Sequence, residues 1–274
     1  MQLTVLVNNC VHRPGLKAEH GLSLWLEVEN HAYLFDTGAS GLVVENARTL
    51  GVPLEKASAI ILSHGHYDHT GGLLAVLKTI KKKVTIFAHP SIWEKKGHLS
   101  EVGIRNIGIP FSKEVLAEAG ADFDLFSGPR VIGANMWLTG EIPRKTVFER
   151  VESSLVHAEG NSWKPDPILD DQALIIKTQK GLVVITGCAH SGIINTITYS
   201  LEYARTDRLY AVIGGFHLWH ASKEQLRLTM ESIRAFKPSY LITGHCTGLT
   251  AAMELKAFFP QQCHFLDVGL KFEL

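Results

Sequence analysis

Cysteine is scarce in this chain, long apolar runs are missing, and neither sign of charge is in excess. The four cysteines, Cys10, Cys188, Cys246 and Cys263, are widely spaced and form no C-x-x-C pair. That excludes a disulfide framework and leaves isolated structural thiols as the plain reading of each. Every hydrophobic stretch is broken by Gly, His or a charge well short of the roughly 20 residues needed to span a bilayer, so no membrane segment is expected. Basic and acidic side chains number 27 each, and the formal net charge is zero. A general nucleic-acid binder needs a basic face to displace counterions from phosphates, so that class is set aside. A small anion held by a few local arginines stays open. Residues 1–7 carry no basic leader and no cleavage site. They are expected to form a first strand, with the cytoplasm as the expected compartment.

What the chain does have is histidine, 14 in 274 residues, and enough hydrophobic residues (46%) to bury a substantial core. Periodicity predicts strands at 3–7 and 22–28, with 31–35 as the return arm of a hairpin ending at Asp36. A helix is expected at 41–50, a short buried strand at 59–62, an amphipathic helix at 71–83 closing on three lysines, and a strand at 84–88. From about 89 to 167 the pattern is irregular and rich in Gly and Pro, and it reads as short elements and loops that form a pocket. A clear hairpin follows at 173–177 and 182–186. Helices are then expected at 193–205, 223–236 (capped by Ser222) and 251–259, alternating with strands at 209–213 and 240–243. No linker is evident, and one domain over 1–274 is expected.

Four apolar strands end on histidine: Ile60-Ile-Leu-Ser-His64-Gly-His66, Val183-Val-Ile-Thr-Gly-Cys188-Ala-His190, Ala211-Val-Ile-Gly-Gly-Phe-His217 and Leu241-Ile-Thr-Gly-His245. In layered α/β folds the carboxyl ends of strands are where ligands bind, so a shared histidine cluster is the expectation. The densest element is His64-Gly-His66-Tyr-Asp68-His69. Neutral imidazole suits zinc, iron or manganese, and a carboxylate adds the negative charge a divalent cation needs. Four ligands within six residues cannot surround one ion tetrahedrally without severe strain, so two adjacent ions are expected.

His64-x-His66-x-Asp68-His69 resembles the signature of the metallo-β-lactamase superfamily, and Asp36 in Phe-Asp-Thr-Gly, a later hairpin and His245 follow that family's order. Three further stretches are similar to the branch of 7,8-dihydropterin-6-methyl-4-(β-D-ribofuranosyl)-aminobenzene-5′-phosphate synthase. These are Gly21-Leu-Ser-Leu with Phe35-Asp-Thr-Gly, Ser63-His-Gly-His-Tyr-Asp-His-Thr-Gly-Gly, and Thr186-Gly-Cys-Ala-His-Ser-Gly with Gly214-Gly-Phe-His-Leu. The resemblance implies an α/β fold, a four-layer αβ/βα sandwich, with two metals at its edge. It implies His64 and His66 on the first ion, and Asp68, His69 and His245 on the second. Asp36 would hydrogen-bond a ligand histidine and fix its tautomer. In most of the superfamily a histidine precedes the hairpin and a bridging aspartate follows it. Here Asp170-Asp171 stands before the hairpin and Cys188 in the aspartate's place. His190 is the candidate for the missing ligand, with Cys188 either bridging as thiolate or packing.

The expected chemistry is metal-assisted hydrolysis or group transfer on a small anionic metabolite such as a pterin or phosphate ester. Zinc is the first choice of metal, with iron or manganese as alternatives. Asp68 would double as proton acceptor, and His217 would donate to the oxygen that gains charge, although His217 as a core histidine is almost as good a reading. His89, and His12, His20, His31, His98, His157, His220 and His264, default to core or surface. Arg105, Arg144 and Arg150 read as solvated charges and Trp93, Trp137 and Trp163 as packing, with anion clamps and pocket walls as their sharper readings. The rival functions are an iron-dependent oxidoreductase on the same fold and a non-catalytic metabolite sensor. No nucleic acid or membrane partner is expected, and a homo-oligomer is left open.

Overall fold

The computed structural model describes residues 1–274. Two units account for them: Met1–Phe126 with Glu152–Asp170 and Asp267–Leu274, and Ser127–Val151 with Asp171–Leu266.

In the first unit a seven-stranded sheet runs Lys271–Glu273, Gln2–Val7, Ser23–Val28, His31–Phe35, Ala59–Ile61, Val84–Ala88, Ala121–Leu125. Ser23–Val28 and His31–Phe35 pair antiparallel through a two-residue turn in which Glu29 is left-handed (φ 54°). From His31–Phe35 onward the pairing is parallel, because helices Leu42–Leu50, Leu73–Ile80 and Lys113–Glu118 return the chain to the same end each time. One set of strand side chains (Leu6, Trp25, Leu34, Ile60) packs with Val43, Leu73, Val76 and Leu77 of the helices into a buried core. The alternate set (Leu3, Val5, Leu24, Leu26, Phe35, Ile61) is also fully buried, which is why these strands read as apolar runs rather than alternating ones. Phe35, Ile61 and Phe87 share one row across the sheet, so Asp36 and Leu62-Ser63-His64 leave it side by side.

The expected helix at 71–83 is the shorter Leu73–Ile80, preceded by a separate short helix Tyr67–Thr70, and it stops where Lys81 turns left-handed (φ 54°). The lysines lie beyond its end. The stretch read as irregular is more ordered than expected. Within this unit Ser162–Pro165, Leu155–Glu159, Lys96–Ser100 and Gly103–Asn106 form a four-stranded antiparallel sheet. Gly103–Asn106 is exposed along its whole length and Ser162–Pro165 nearly so, which removes the apolar alternation that marks a strand in sequence.

In the second unit the sheet order is Cys263–Phe265, Tyr240–Thr243, Leu209–Gly214, Gly181–Thr186, Ala173–Thr178, Met136–Leu138, Arg130–Gly133. The hairpin Ala173–Thr178/Gly181–Thr186 is antiparallel, and the strands from Gly181–Thr186 to Cys263–Phe265 are parallel neighbours. Helices Ile193–Ala204, Lys223–Phe236 and Leu249–Phe258 make the crossovers, and their apolar stripes (Ile193, Ile197, Leu201, Met230, Ile233, Leu255) pack with Leu182, Val184, Val212 and Leu241. Ser222 Oγ accepts the N–H of Gln225 and caps the second of these helices as expected. Thr186, Gly214 and Thr243 lie in one row, so three loops leave the same edge of the sheet together. No helix of the chain is long and apolar enough to cross a membrane.

Candidate metal centre

In the first unit the residues beyond the Phe35–Ile61 row converge on Asp36, which is fully buried and left-handed (φ 57°). Its Oδ1 accepts the Ser63 N–H at 2.7 Å, and its Oδ2 lies 2.7 Å from both Ser63 Oγ and His69 Nδ1. A carboxylate can only accept, so His69 carries its proton on Nδ1 and presents the Nε2 lone pair. The Ser63 hydroxyl likewise gives its hydrogen to Asp36. It must then accept from His64 Nδ1, 2.9 Å away, which leaves His64 Nε2 as a lone pair too. One aspartate therefore sets two imidazoles: His69 directly, and His64 through Ser63. The sequence alone predicts a single histidine for Asp36.

His64 Nε2 and His66 Nδ1 are 2.9 Å apart, and the His64 ring centroid is 4.2 Å from that of His69. Burial comes first in holding His64 well below the usual histidine range, with the positive potentials of His69 and His66 adding to it. Burial also lowers His66 to about 3, against the opposing pull of Asp68. These rings are therefore neutral near pH 7, as metal ligands must be. Asp68 Oδ2 is 3.6 Å from His69 Nε2 and 3.2 Å from Nε2 of the exposed His20. No periodicity ties His20 to the motif, and the sequence places it on the surface by default. Gly65 lies against a neighbouring backbone: a Cβ there would stand 2.7 Å from the Ile92 carbonyl oxygen.

In the second unit the three loops beyond the Thr186–Gly214–Thr243 row bring together Cys188, His190, His217 and His245, and add Cys246. Ligand atoms of Cys188, His190 and His217 lie within 4.8 Å of one another, as do those of Cys188, His245 and Cys246. The His190 and His217 ring centroids are 4.2 Å apart. Each loop turns through a left-handed non-glycine residue: Ala189 (φ 56°), His217 (φ 47°) and His245 (φ 49°). Such conformations cost on the order of 1 kcal/mol or more each, and they cluster at functional sites where surrounding structure enforces them. Gly215 is required here, because a Cβ would sit 2.5 Å from Cys246 Sγ. Burial pushes the Cys246 thiol up, but hydrogen bonds from Cys188 and His217 and the potential of His245 outweigh it and hold the thiol well below its usual range. In the sequence Cys246 stands as an isolated thiol. Its only signal was the place directly after a strand-end histidine.

Arg144 is exposed, yet it is tied to the loop of a candidate ligand. Its Nη1 donates to the His190 carbonyl at 2.6 Å. His89 Nδ1 accepts the N–H of Ser91 and starts a short helical turn, a structural role as expected. Arg105 lies over the Tyr67 ring, and Trp93 and Trp137 pack edge-on to Phe123 and Tyr203. No metal is needed to account for these.

The donor set suits divalent cations: buried neutral imidazoles with assigned lone pairs, one carboxylate, and two thiols within reach of histidine. The family model of the metallo-β-lactamase superfamily matches residues 16–245. The chain belongs to that superfamily. A curated relative from Methanocaldococcus jannaschii, 7,8-dihydropterin-6-methyl-4-(β-D-ribofuranosyl)-aminobenzene-5′-phosphate synthase, is 33% identical over 262 residues, 92% of this chain and 89% of its own length. Among solved structures, Tm1679, described as a metal-dependent hydrolase of the β-lactamase superfamily, is 30% identical with a TM-score of 0.85 over 100% of this chain and 99% of that one. Zinc-bound PqqB from Methylobacterium extorquens shares the fold with a TM-score of 0.61 at 12% identity, each chain covered at 100%. The metallo-β-lactamase fold expected from the sequence is thus the fold of this chain, a mixed α/β architecture of several sheets and helices. The resemblance to the dihydropterin branch holds as well.

Proposed function

We propose that this superfamily member is a metal-dependent hydrolase or group transferase for a small anionic metabolite, with a pterin or phosphate ester as the first candidate. In this reading His64, His66, Asp68 and His69 of the first unit and His190 and His245 of the second are metal ligands, and Cys188 stands in the bridging aspartate's place. Zinc is the preferred ion, with iron or manganese as alternatives. The observation that carries the reading is the Asp36 relay, which in a fully buried setting places the ring protons of His64 and His69 on Nδ1 and leaves each Nε2 as a lone pair. A histidine that merely fills a core has no need of such tautomer control.

Divalent ions bound there would supply a water of lowered pKa and polarise the carbonyl or phosphoryl oxygen under attack. The protein's own groups do the rest. Asp68 accepts the proton of the attacking hydroxyl at Oδ2. His217 donates a ring N–H to the oxygen that gains negative charge. The name of the M. jannaschii relative, a synthase whose product combines a pterin with a ribose phosphate, supports a phosphate-bearing substrate and keeps group transfer beside hydrolysis. The balanced charge of the chain supports a small-molecule partner over nucleic acid.

The test is metal quantitation on protein purified without chelator, followed by a turnover screen over phosphodiesters, lactones, thioesters and pterin phosphates. Two ions per chain and turnover of a phosphate or pterin compound are expected. Stoichiometric iron with oxygen consumption would move the assignment to an oxidoreductase. Metabolite binding without turnover would make it a sensor.

A further inference from the structure

Asp170 and Asp171, adjacent in sequence where most of the superfamily has a histidine, are both buried, and each grips a backbone N–H beside a candidate ligand. In the first unit Asp170 Oδ2 accepts the N–H of Gly65, between His64 and His66, at 2.7 Å. Its Oδ1 takes the ammonium of Lys96 at 2.8 Å, and Lys96 is fully buried and also bonded to Asp166 at 3.1 Å. In the second unit Asp171 Oδ2 accepts the N–H of Ser191, next to His190, at 2.7 Å.

We propose that Asp170 and Asp171 are positioning residues, each fixing the loop of one ligand histidine by accepting a backbone N–H, with Lys96 orienting Asp170. The inference rests on the metal-centre reading above. A carboxylate can serve two donors at once, and Asp170 does so: one oxygen neutralises Lys96 and the other points at Gly65. The strand-borne Lys96 thus connects the four-stranded sheet to the His64-Gly65-His66 turn. Neither aspartate belongs to the groups of clustered ligand atoms. Both act through the backbone beside residues that do.

Substitution in matched pairs separates positioning from mere stability. Asparagine keeps an acceptor for the loop N–H, and alanine removes it. Because Asp170 also balances a buried cation, its pair is made with Lys96→Met: Lys96→Met/Asp170→Asn against Lys96→Met/Asp170→Ala. The second pair is Asp171→Asn against Asp171→Ala. The readouts are zinc affinity, by competition with a chelating dye, and the melting temperature of the metal-free protein. In each pair the alanine form is expected to bind zinc about 10- to 100-fold more weakly than the asparagine form. Equal zinc affinity within both pairs overturns the proposal, whatever happens to the melting temperature. Failure of the wild-type protein to take up zinc, iron or manganese at all is a different result: it removes the metal-centre reading, and the inference with it. If an alanine form does not fold, the asparagine form of that pair decides. Binding within about threefold of wild type sustains the role of the N–H acceptor, and a loss of tenfold or more refutes it.

Discussion

The two units carry their candidate ligands in opposite ways. In the first, four of them sit within the six residues His64–His69, on one turn after one strand, and a single buried aspartate orients two of the imidazoles. In the second, Cys188, His190, His217, His245 and Cys246 arrive on three separate loops, aligned only because Thr186, Gly214 and Thr243 share a row, and two of them are thiols. The first cluster is contiguous in sequence but is held from outside, by Asp36 on the neighbouring strand end and by Asp170. The second depends on parallel register and on three left-handed residues held by their surroundings.

The largest expected effect tests whether both clusters serve one function. His66→Ala in the first and His245→Ala in the second should each abolish metal retention and turnover together. Turnover that survives metal loss in either variant would falsify the mechanism. Next comes the relay: Asp36→Asn, which removes a carboxylate oxygen from the tautomer control of His64 and His69, should weaken zinc binding by roughly 10- to 100-fold. A change under about threefold would show that the tautomers are set by something else.

A third prediction concerns how the second unit holds the loop after His190. Helix Ile193–Ala204 starts at Gly192, which has no capping side chain, and Glu149 from a distant loop accepts the N–H groups of Ile194 (2.7 Å) and Asn195 (2.9 Å). Burial nevertheless outweighs these bonds and raises the Glu149 carboxyl from 4.5 to about 7. The folded state then binds more protons than the unfolded chain between those values, so stability falls as pH rises through that window. The fall is worth about 1.4 kcal/mol per pH unit and about 3 kcal/mol in all. The lowered His64 and His66 act with the opposite sign in metal-free protein: their contribution is complete above about 6.5 and is lost as pH falls, for His66 down to about 3. Comparing melting curves of wild type and Glu149→Gln from pH 4.5 to 7 isolates the first effect, and identical pH dependence would refute it. The smallest effect expected is at the thiol. Cys188→Ser should change zinc affinity less than about threefold, against tenfold or more for His190→Ala. The reverse order would make Cys188 a ligand and its neighbour a packing residue.

The same contrast explains what could be read from the sequence. The His64–His69 turn was legible because its residues are neighbours, and the hairpin Ala173–Thr178/Gly181–Thr186 because its buried strands are apolar throughout. The three strand-end histidines of the second unit were legible only as a repeated strand-end pattern, and Cys246 escaped because one residue after His245 carries no spacing signal. The four-stranded sheet was missed since its strands are short and largely polar. Lys96 could not have been suspected: nothing local marks a lysine as fully buried, and its partners Asp166 and Asp170 stand 70 and 74 residues away. The 71–83 helix was drawn too long because propensity continues through Lys81, where the backbone in fact reverses hand.

The way Cys188-Ala189-His190, His217 and His245-Cys246 are delivered has an evolutionary corollary. Each donor hangs on its own strand terminus, and the register that aligns the termini is written in the sheet rather than in the donors. A single codon change can therefore swap nitrogen for sulfur or oxygen at one position and leave the scaffold and the other donors untouched. Metal preference can drift in this half of the protein while the contiguous half stays fixed.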